Sequence, residues 1–172
     1  MSKIIVVYHS KTGRTKLIAE AIAKGAGGKI MSVENINWEE LDSASAIIFG
    51  SPTYMGSVSA PLKAFIDETG SRWLSQKWKN KIAGGFTNAS YSSGDKLNTL
   101  VQIMIFAMQH SMIWVGSDSM PDNEINRMGC FVGVMSQSQQ KTTGIQALND
   151  GDVKTAENYG KRIAEITAKF TN

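Results

Sequence analysis

Two short runs, Ile4-Ile5-Val6-Val7-Tyr8 and Ala46-Ile47-Ile48-Phe49-Gly50, are apolar without alternation. A strand with one face in water alternates polar and apolar side chains. A run that is apolar at every position needs cover on both faces, as in a parallel sheet enclosed by helices. The intervening segments supply that cover. From about Thr15 to Ala26, Leu17, Ile18, Ala21 and Ile22 share one helical face, with Lys16, Glu20 and Lys24 opposite, and Gly27-Gly28 ends the helix. Lys29 to Val33 reads as a short second strand, and Asn37 as the cap of a brief helix through Leu41. Ser59 is expected to cap a helix with Pro61 in its first turn, Leu62, Phe65, Ile66 and Thr69 on one face, and Gly70 closing it. Ile82 to Phe86 and Met112 to Val115 are the fourth and fifth strands, and a final helix from about Asp152 to Phe170 carries Ala156, Tyr159, Ile163, Ile166 and Phe170 at helical spacing. Five β-α units in sequence predict an α/β, doubly wound parallel sheet with right-handed crossovers, as one domain over residues 1–172.

One helix departs from this pattern. Between Leu97 and Met108 only Asn98, Thr99 and Gln102 are polar, so apolar side chains surround the axis. Such a helix is covered on more than one side, here by a long loop or by another subunit. The segment Gly116 to Thr143 has little regular pattern beyond Cys130 to Met135 and is long enough to serve as cover or lid.

Composition narrows the function classes. The 172 residues are 42% hydrophobic and 19% charged, the balance of a soluble globular protein, with no run of 18 apolar residues to cross a membrane. The first strand begins without the order of a secretion signal, and the lone Cys130 forms no internal disulfide, so a cytoplasmic setting is expected. One cysteine and two histidines do not make a structural zinc site. Net charge is +3, but the basic residues are scattered; even Lys77, Lys79 and Lys81 are interrupted by Trp78 and Asn80. Nucleic-acid binding would need a clustered basic face, so none is expected.

In doubly wound sheets ligands sit beyond the carboxyl ends of the strands. Three segments fall there: His9 to Arg14, Ser51 to Val58 and Thr87 to Gly94, all rich in Ser, Thr, Gly and aromatics. The first continues as Ser10-Lys11-Thr12-Gly13-Arg14-Thr15 into a helix start, where hydroxyls, backbone N–H groups and the helix dipole converge on one anion. It is neither the dinucleotide fingerprint nor a P-loop. A phosphate monoester fits best, although an ordinary capped helix start carries the same residue types.

These loops resemble the flavodoxin superfamily, most closely the WrbA-type NAD(P)H:quinone oxidoreductases. Ser10 to Thr15 resembles the [ST]-x-T-G-x-T loop that holds the FMN phosphate. Gly50-Ser51-Pro52-Thr53-Tyr54-Met55-Gly56 is similar to the G-[ST]-P-T-R-F-G segment lining the flavin, with Tyr54 in place of arginine and Met55 in place of phenylalanine. Phe65-Ile66-Asp67-Glu68-Thr69-Gly70 with Trp73 resembles F-L-D-x-T-G-x-x-W, and Lys81 to Gly94 a strand and loop at the ring edge. The link between second and third strands is shorter here than in WrbA proteins.

The resemblance implies a flavodoxin-like strand order 2-1-3-4-5 and FMN as cofactor. It implies cofactor contacts from Ser10, Lys11, Thr12, Gly13, Arg14 and Thr15; from Pro52, Thr53, Tyr54, Met55 and Gly56; from Thr87, Asn88, Ala89, Ser90, Tyr91, Ser92 and Gly94; and from His110. Tyr54 and Tyr91 are expected to border the ring. Trp73 is implied at the acceptor, Trp78 is read as packing, Cys130 as inert, and His9 as an exposed loop histidine. The activity implied is electron transfer from NAD(P)H to a quinone-like acceptor, with no catalytic side chain needed because the chemistry is flavin-borne. The alternative is a flavodoxin-type one-electron carrier, to which a sequence pI near 9.0 is ill suited, since flavodoxins present acidic surfaces to basic partners. A helix from Asp95 to His110 runs back from the flavin end for roughly 20 Å at about 1.5 Å per residue. His110 and Trp73 are therefore expected to serve a neighbouring subunit's flavin, in a homo-oligomeric dimer or tetramer.

Overall fold

The computed structural model describes residues 2–139 and 144–170. Its parallel strands are β1 (Ile4–Tyr8), β2 (Lys29–Ser32), β3 (Ala46–Tyr54) and β5 (Ile82–Ala89), joined at one edge by β6 (Ile113–Trp114) and β7 (Val134–Gln137). The two-residue β4 (Ser57–Val58) folds back antiparallel on β3. The order is β2-β1-β3-β5-β6, with β7 pairing farther along β5. Counting the short β4 apart and β6 with β7 as one lane, this is the expected 2-1-3-4-5.

Successive side chains of the buried strands go to opposite layers. Ile4, Val6 and Tyr8 pack with Ile48 and Phe86 against α1 (Arg14–Ala26) and α6 (Asp150–Phe170). Ile5 and Val7 pack with Ile47 and Phe49 on the other face, against α2 (Trp38–Asp42), α3 (Ala60–Glu68) and α5 (Lys96–Gln109). Asn37 caps α2 as expected, its Oδ1 accepting from the Glu40 N–H at 2.9 Å. Trp78 is fully buried among Phe49, Phe65 and Phe106, and Cys130 is buried.

Several expectations change. Gly70 does not close a helix: it opens a further turn, α4 (Gly70–Leu74), which carries Trp73. Ser59 occupies the N-cap position of α3, but its hydroxyl accepts from Ser51 Oγ, and its N–H donates to that same oxygen at 2.9 Å. His9 is not an exposed loop residue. Its N–H donates to Gly50 O at 3.1 Å, which extends the β1–β3 ladder and buries the ring. That burial lowers the imidazole pKa from its ordinary value, with Lys11 adding to the effect and Glu34 opposing it.

The fifth strand is split, and its second half lies inside the segment expected to be irregular. Residues 115–133 leave the sheet after β6 and return as β7. Trp114 Nε1 donates to Val132 O at 2.9 Å and the Ser117 N–H to Phe131 O at 2.9 Å, which closes the excursion's base. Arg127 forms a two-point pair with Asp152 at 2.8 and 2.9 Å, and the Asn126 N–H donates to Thr155 Oγ1 at 2.8 Å, which fasten it to α6. It leaves the outer face of α5 open. Leu97, Ile105 and Met108 on that face remain exposed. The rest of the expected loop, 140–143, lies outside the described residues.

α1 and α6 touch backbone to backbone. A Cβ on Gly25 would stand 2.0 Å from the Glu157 carbonyl oxygen, and one on Gly160 2.1 Å from that of Ile22. Alanine in a helix gains up to about 1 kcal/mol over glycine, but overpacking against backbone costs about 1–3 kcal/mol. Gly160→Ala is therefore expected to lower the stability of the protein despite its better helix propensity, as a reduced denaturant midpoint.

Candidate cofactor cleft

The three carboxyl-end loops meet in a cleft of about 400 Å3. It is lined by Thr12, Arg14 and Thr15 from the first loop, Pro52, Thr53, Tyr54, Met55 and Gly56 from the second, and Asn88, Ala89, Ser90, Tyr91 and Gly94 from the third. Ser138, just past β7, completes the wall and was not expected from the sequence. No periodicity marks it; it arrives because the split strand returns to the sheet beside β5, where its N–H donates to Ala89 O at 3.0 Å.

At the first loop Gly13 takes a left-handed backbone, φ 82°, at the N-cap of α1, which turns the chain from strand into helix. Ser10 Oγ accepts from the Lys16 N–H at 3.1 Å, so this hydroxyl shapes the loop. Among the described residues, the N–H groups of Lys11, Thr12, Gly13 and Thr15 make no hydrogen bond within the chain. The first turn of α1 holds no acidic residue, whereas α6 begins with Asp150 and Asp152. Acids commonly occupy that position because of the helix dipole. A basic, hydroxyl-bearing turn without one, with N–H groups still to be paired, is a donor set for a bound phosphate.

The second loop is a tight hairpin. Tyr54 pairs with Ser57 across Met55 and Gly56, both at positive φ (49° and 73°), as a two-residue turn of primed type requires. Met55 is an unusual residue for this backbone and is fully exposed at the tip. The hairpin is held by the three polar residues of the apolar helix. Asn98 Nδ2 donates to Gly56 O at 2.7 Å, Thr99 Oγ1 lies 2.8 Å from Thr53 Oγ1, and Gln102 Oε1 accepts from Ser57 Oγ at 2.9 Å.

The expected contacts divide accordingly. Thr53 Oγ1 also bonds Thr87 Oγ1 at 2.8 Å, and Thr87 is fully buried, so these hydroxyls join β3, β5 and α5 beneath the cleft. Asn88 is tied to the split strand through Ser136 Oγ and Ser138 Oγ. Tyr54 and Tyr91 flank the opening with exposed rings. Ser10, Lys11, Gly13, Thr87 and Ser92 are not among the lining residues, although the first three belong to the turn that forms one end.

His110 and Trp73 lie elsewhere, at a second cavity of about 440 Å3 between α3, α4 and α5. His110 is only 2% exposed; its Nε2 lies 2.9 Å from Thr69 Oγ1 and its ring packs on Trp78 and Phe106. Burial lowers its pKa to about 4, so the ring is neutral near pH 7. His110 thus lines the second cavity and not the cleft of its own chain, the separation from which the shared-site expectation starts. Trp73 is half exposed at the rim and remains free to meet another molecule.

Comparisons with known proteins agree with this geometry. The family model described as a flavodoxin domain matches residues 5–143. Flavodoxin FldP of Pseudomonas aeruginosa is 38% identical, with 96% of this chain and 97% of that protein covered. An NAD(P)H dehydrogenase (quinone) of Archaeoglobus fulgidus is 32% identical, with 99% and 100% covered. A crystal structure described as a WrbA-like flavodoxin from Agrobacterium tumefaciens superposes with a TM-score of 0.81 at 38% identity, covering 98% of this chain and 99% of that one. With its sheet order, its phosphate-type turn and its ring-edge loops in one cleft, the chain belongs to the flavodoxin family.

Proposed function

We propose that the protein is an FMN-dependent oxidoreductase that accepts electrons from NAD(P)H and passes them to a quinone-like acceptor. The observation that carries the reading is the convergence of an acid-free helix N-terminus, a hydroxyl-rich turn and a tyrosine-flanked hairpin on one cleft. FMN, when bound, supplies the electron-accepting ring. The chain supplies the rest. The Lys11, Thr12, Gly13 and Thr15 N–H groups and the Thr12 and Thr15 hydroxyls would hold the phosphate, and Tyr54 and Tyr91 would border the ring. The exposed mouth would admit nicotinamide and acceptor in alternation. The relative named as a quinone dehydrogenase supports this activity, and so does the basic pI near 9.0. The relative named as a flavodoxin, at 38% identity, favours a second reading as a one-electron carrier.

The exposed apolar face of α5, the half-exposed Trp73 and the exposed Leu74 support a homo-oligomer, a dimer or tetramer. In it Trp73 would approach the acceptor at a neighbour's cleft, with His110 and Thr69 bracing the cavity from behind. The single cysteine fits a cytoplasmic setting.

Charge-assisted bonds to phosphate are about twice as strong as neutral ones. FMN is therefore expected to bind far more tightly than riboflavin. Thr12→Ala and Thr15→Ala should each weaken FMN by about tenfold with the fold intact, since a hydrogen bond to a charged group contributes about 1.5–3 kcal/mol. Equal affinity for FMN and riboflavin in fluorescence titrations would overturn the phosphate assignment. Anaerobic mixing of the FMN-loaded protein with NADH and with NADPH separates the two functions: rapid bleaching of the flavin is expected of the reductase, and no reaction with either is the carrier's result. Sedimentation should give at least the dimer mass, and a monomer with full quinone reductase activity would refute the shared arrangement.

A further inference from the structure

A charged cluster lies behind the floor of the cleft, outside the chemistry assigned so far. Lys96 opens α5 directly after the Thr87 to Gly94 loop, and its side chain is wholly enclosed. Its Nζ donates to the Ser136 carbonyl oxygen at 3.0 Å and lies 2.8 Å from Met128 Sδ. Ser136 in turn donates from Oγ to Asn88 Oδ1 at 2.9 Å, and Asn88 lines the cleft. One residue, Ser136, thus joins the cleft wall to a buried ammonium.

The groups facing Lys96 compensate its charge only in part. Asp152 on α6 is engaged by Arg127 in the two-point pair and accepts from the Gln137 N–H at 2.8 Å. The opposite charges of that pair largely offset each other at Lys96. Asp95, the residue before Lys96, is exposed. Among the described residues no carboxylate forms an ion pair with Lys96. An ammonium held away from water without a counter-ion is costly, and sites that retain one commonly meet an anion there.

We propose that Lys96 is the built-in counter-charge for the reduced cofactor, a positioning residue that acts across Ser136 and Asn88 to favour reduced over oxidised flavin in the cleft. The inference rests on the FMN reading. In hydride transfer a C–H bond of the dihydronicotinamide breaks, and two electrons and one proton pass to the flavin. The nicotinamide leaves as its cation, and the flavin ring retains one negative charge. A cation fixed in a medium of low dielectric interacts more strongly with that charge than one in water. Desolvation holds the Lys96 pKa down, to about 8, with Arg127 adding to the effect and Asp152 and Cys130 opposing it. A negative flavin would raise it, so between about pH 8 and the raised value reduction draws in an additional proton and the potential falls more steeply with pH.

The experiment is a set of anaerobic redox titrations of bound FMN from pH 6.5 to 10, in the wild type and in Lys96→Met, with fluorescence titration of oxidised FMN on both. Lys96→Met is expected to lose about tenfold in its preference for reduced over oxidised FMN below pH 8, a fall of about 30 mV for a two-electron couple. It should also lack the steeper limb above pH 8. An unchanged potential in a variant that still binds FMN would show that Lys96 only braces β7, and overturn the proposal. If the variant does not fold, the wild-type profile decides: a steeper limb supports the counter-charge, and a single uniform slope refutes it. Failure of the wild type to bind FMN at all would refute the cofactor reading itself, a result distinct from both.

Discussion

The cleft depends first on how closely two helices approach. Gly25 of α1 and Gly160 of α6 have no side chain where the other helix's carbonyl oxygens pass, so the two backbones meet in van der Waals contact across one face of the sheet. α1 carries the phosphate-type turn at its amino end. Its height over the sheet and its direction are fixed by that contact together with the packing of Ile18 and Ile22 on Val6 and Ile48. Any side chain at either glycine would lift α1 and move the turn away from the loops with which it shares the cleft. Tyr159 of α6 ties the same layer to the sheet, its hydroxyl donating to Val115 O at 2.5 Å and accepting from the Gly85 N–H at 3.3 Å.

On the opposite face, α5 does two incompatible-looking things with one sequence. Its inner side, Leu100, Ile103, Phe106 and Ala107, is core. Three of its polar residues, Asn98, Thr99 and Gln102, are aimed at the β3–β4 hairpin. Met55 in a left-handed turn has no strong local reason to stay there, and these bonds from the helix hold the turn in place. The hairpin is therefore a rigid wall hung from a helix, and not a free surface loop.

Much of this was legible in the sequence because it rests on local periodicity. Non-alternating strands and amphipathic helices gave the two-layered sheet, and Gly13 among hydroxyls gave the turn. What was hidden is tertiary in origin. Thr53 and Thr87 have the composition of ligand contacts, but their hydroxyls bond each other, because β3 and β5 are neighbours there. His9 looked like a loop residue because nothing local reveals that β1 extends one residue to Gly50. His110 was placed by family pattern, while its burial depends on Trp78 arriving from a different segment. The return of β7 to the sheet after residues 115–133 shows only as the end of the Cys130 to Met135 run, since a four-residue strand next to an excursion is too short to declare itself. Ser138 and the burial of Lys96 were invisible for the same reason.

The divided edge strand has a consequence for life at high concentration. The margin of a sheet is a row of unsatisfied amide and carbonyl groups on which another chain can add a strand, and long flat margins seed aggregation. Here one margin is broken into β6, two residues, and β7, four residues, with a helix-anchored detour between them. The other, β2, is four residues long and begins with an exposed lysine. Neither side offers a template long enough for a stranger's backbone to zip onto, so the detour that brings Ser138 to the cleft also keeps the sheet from growing.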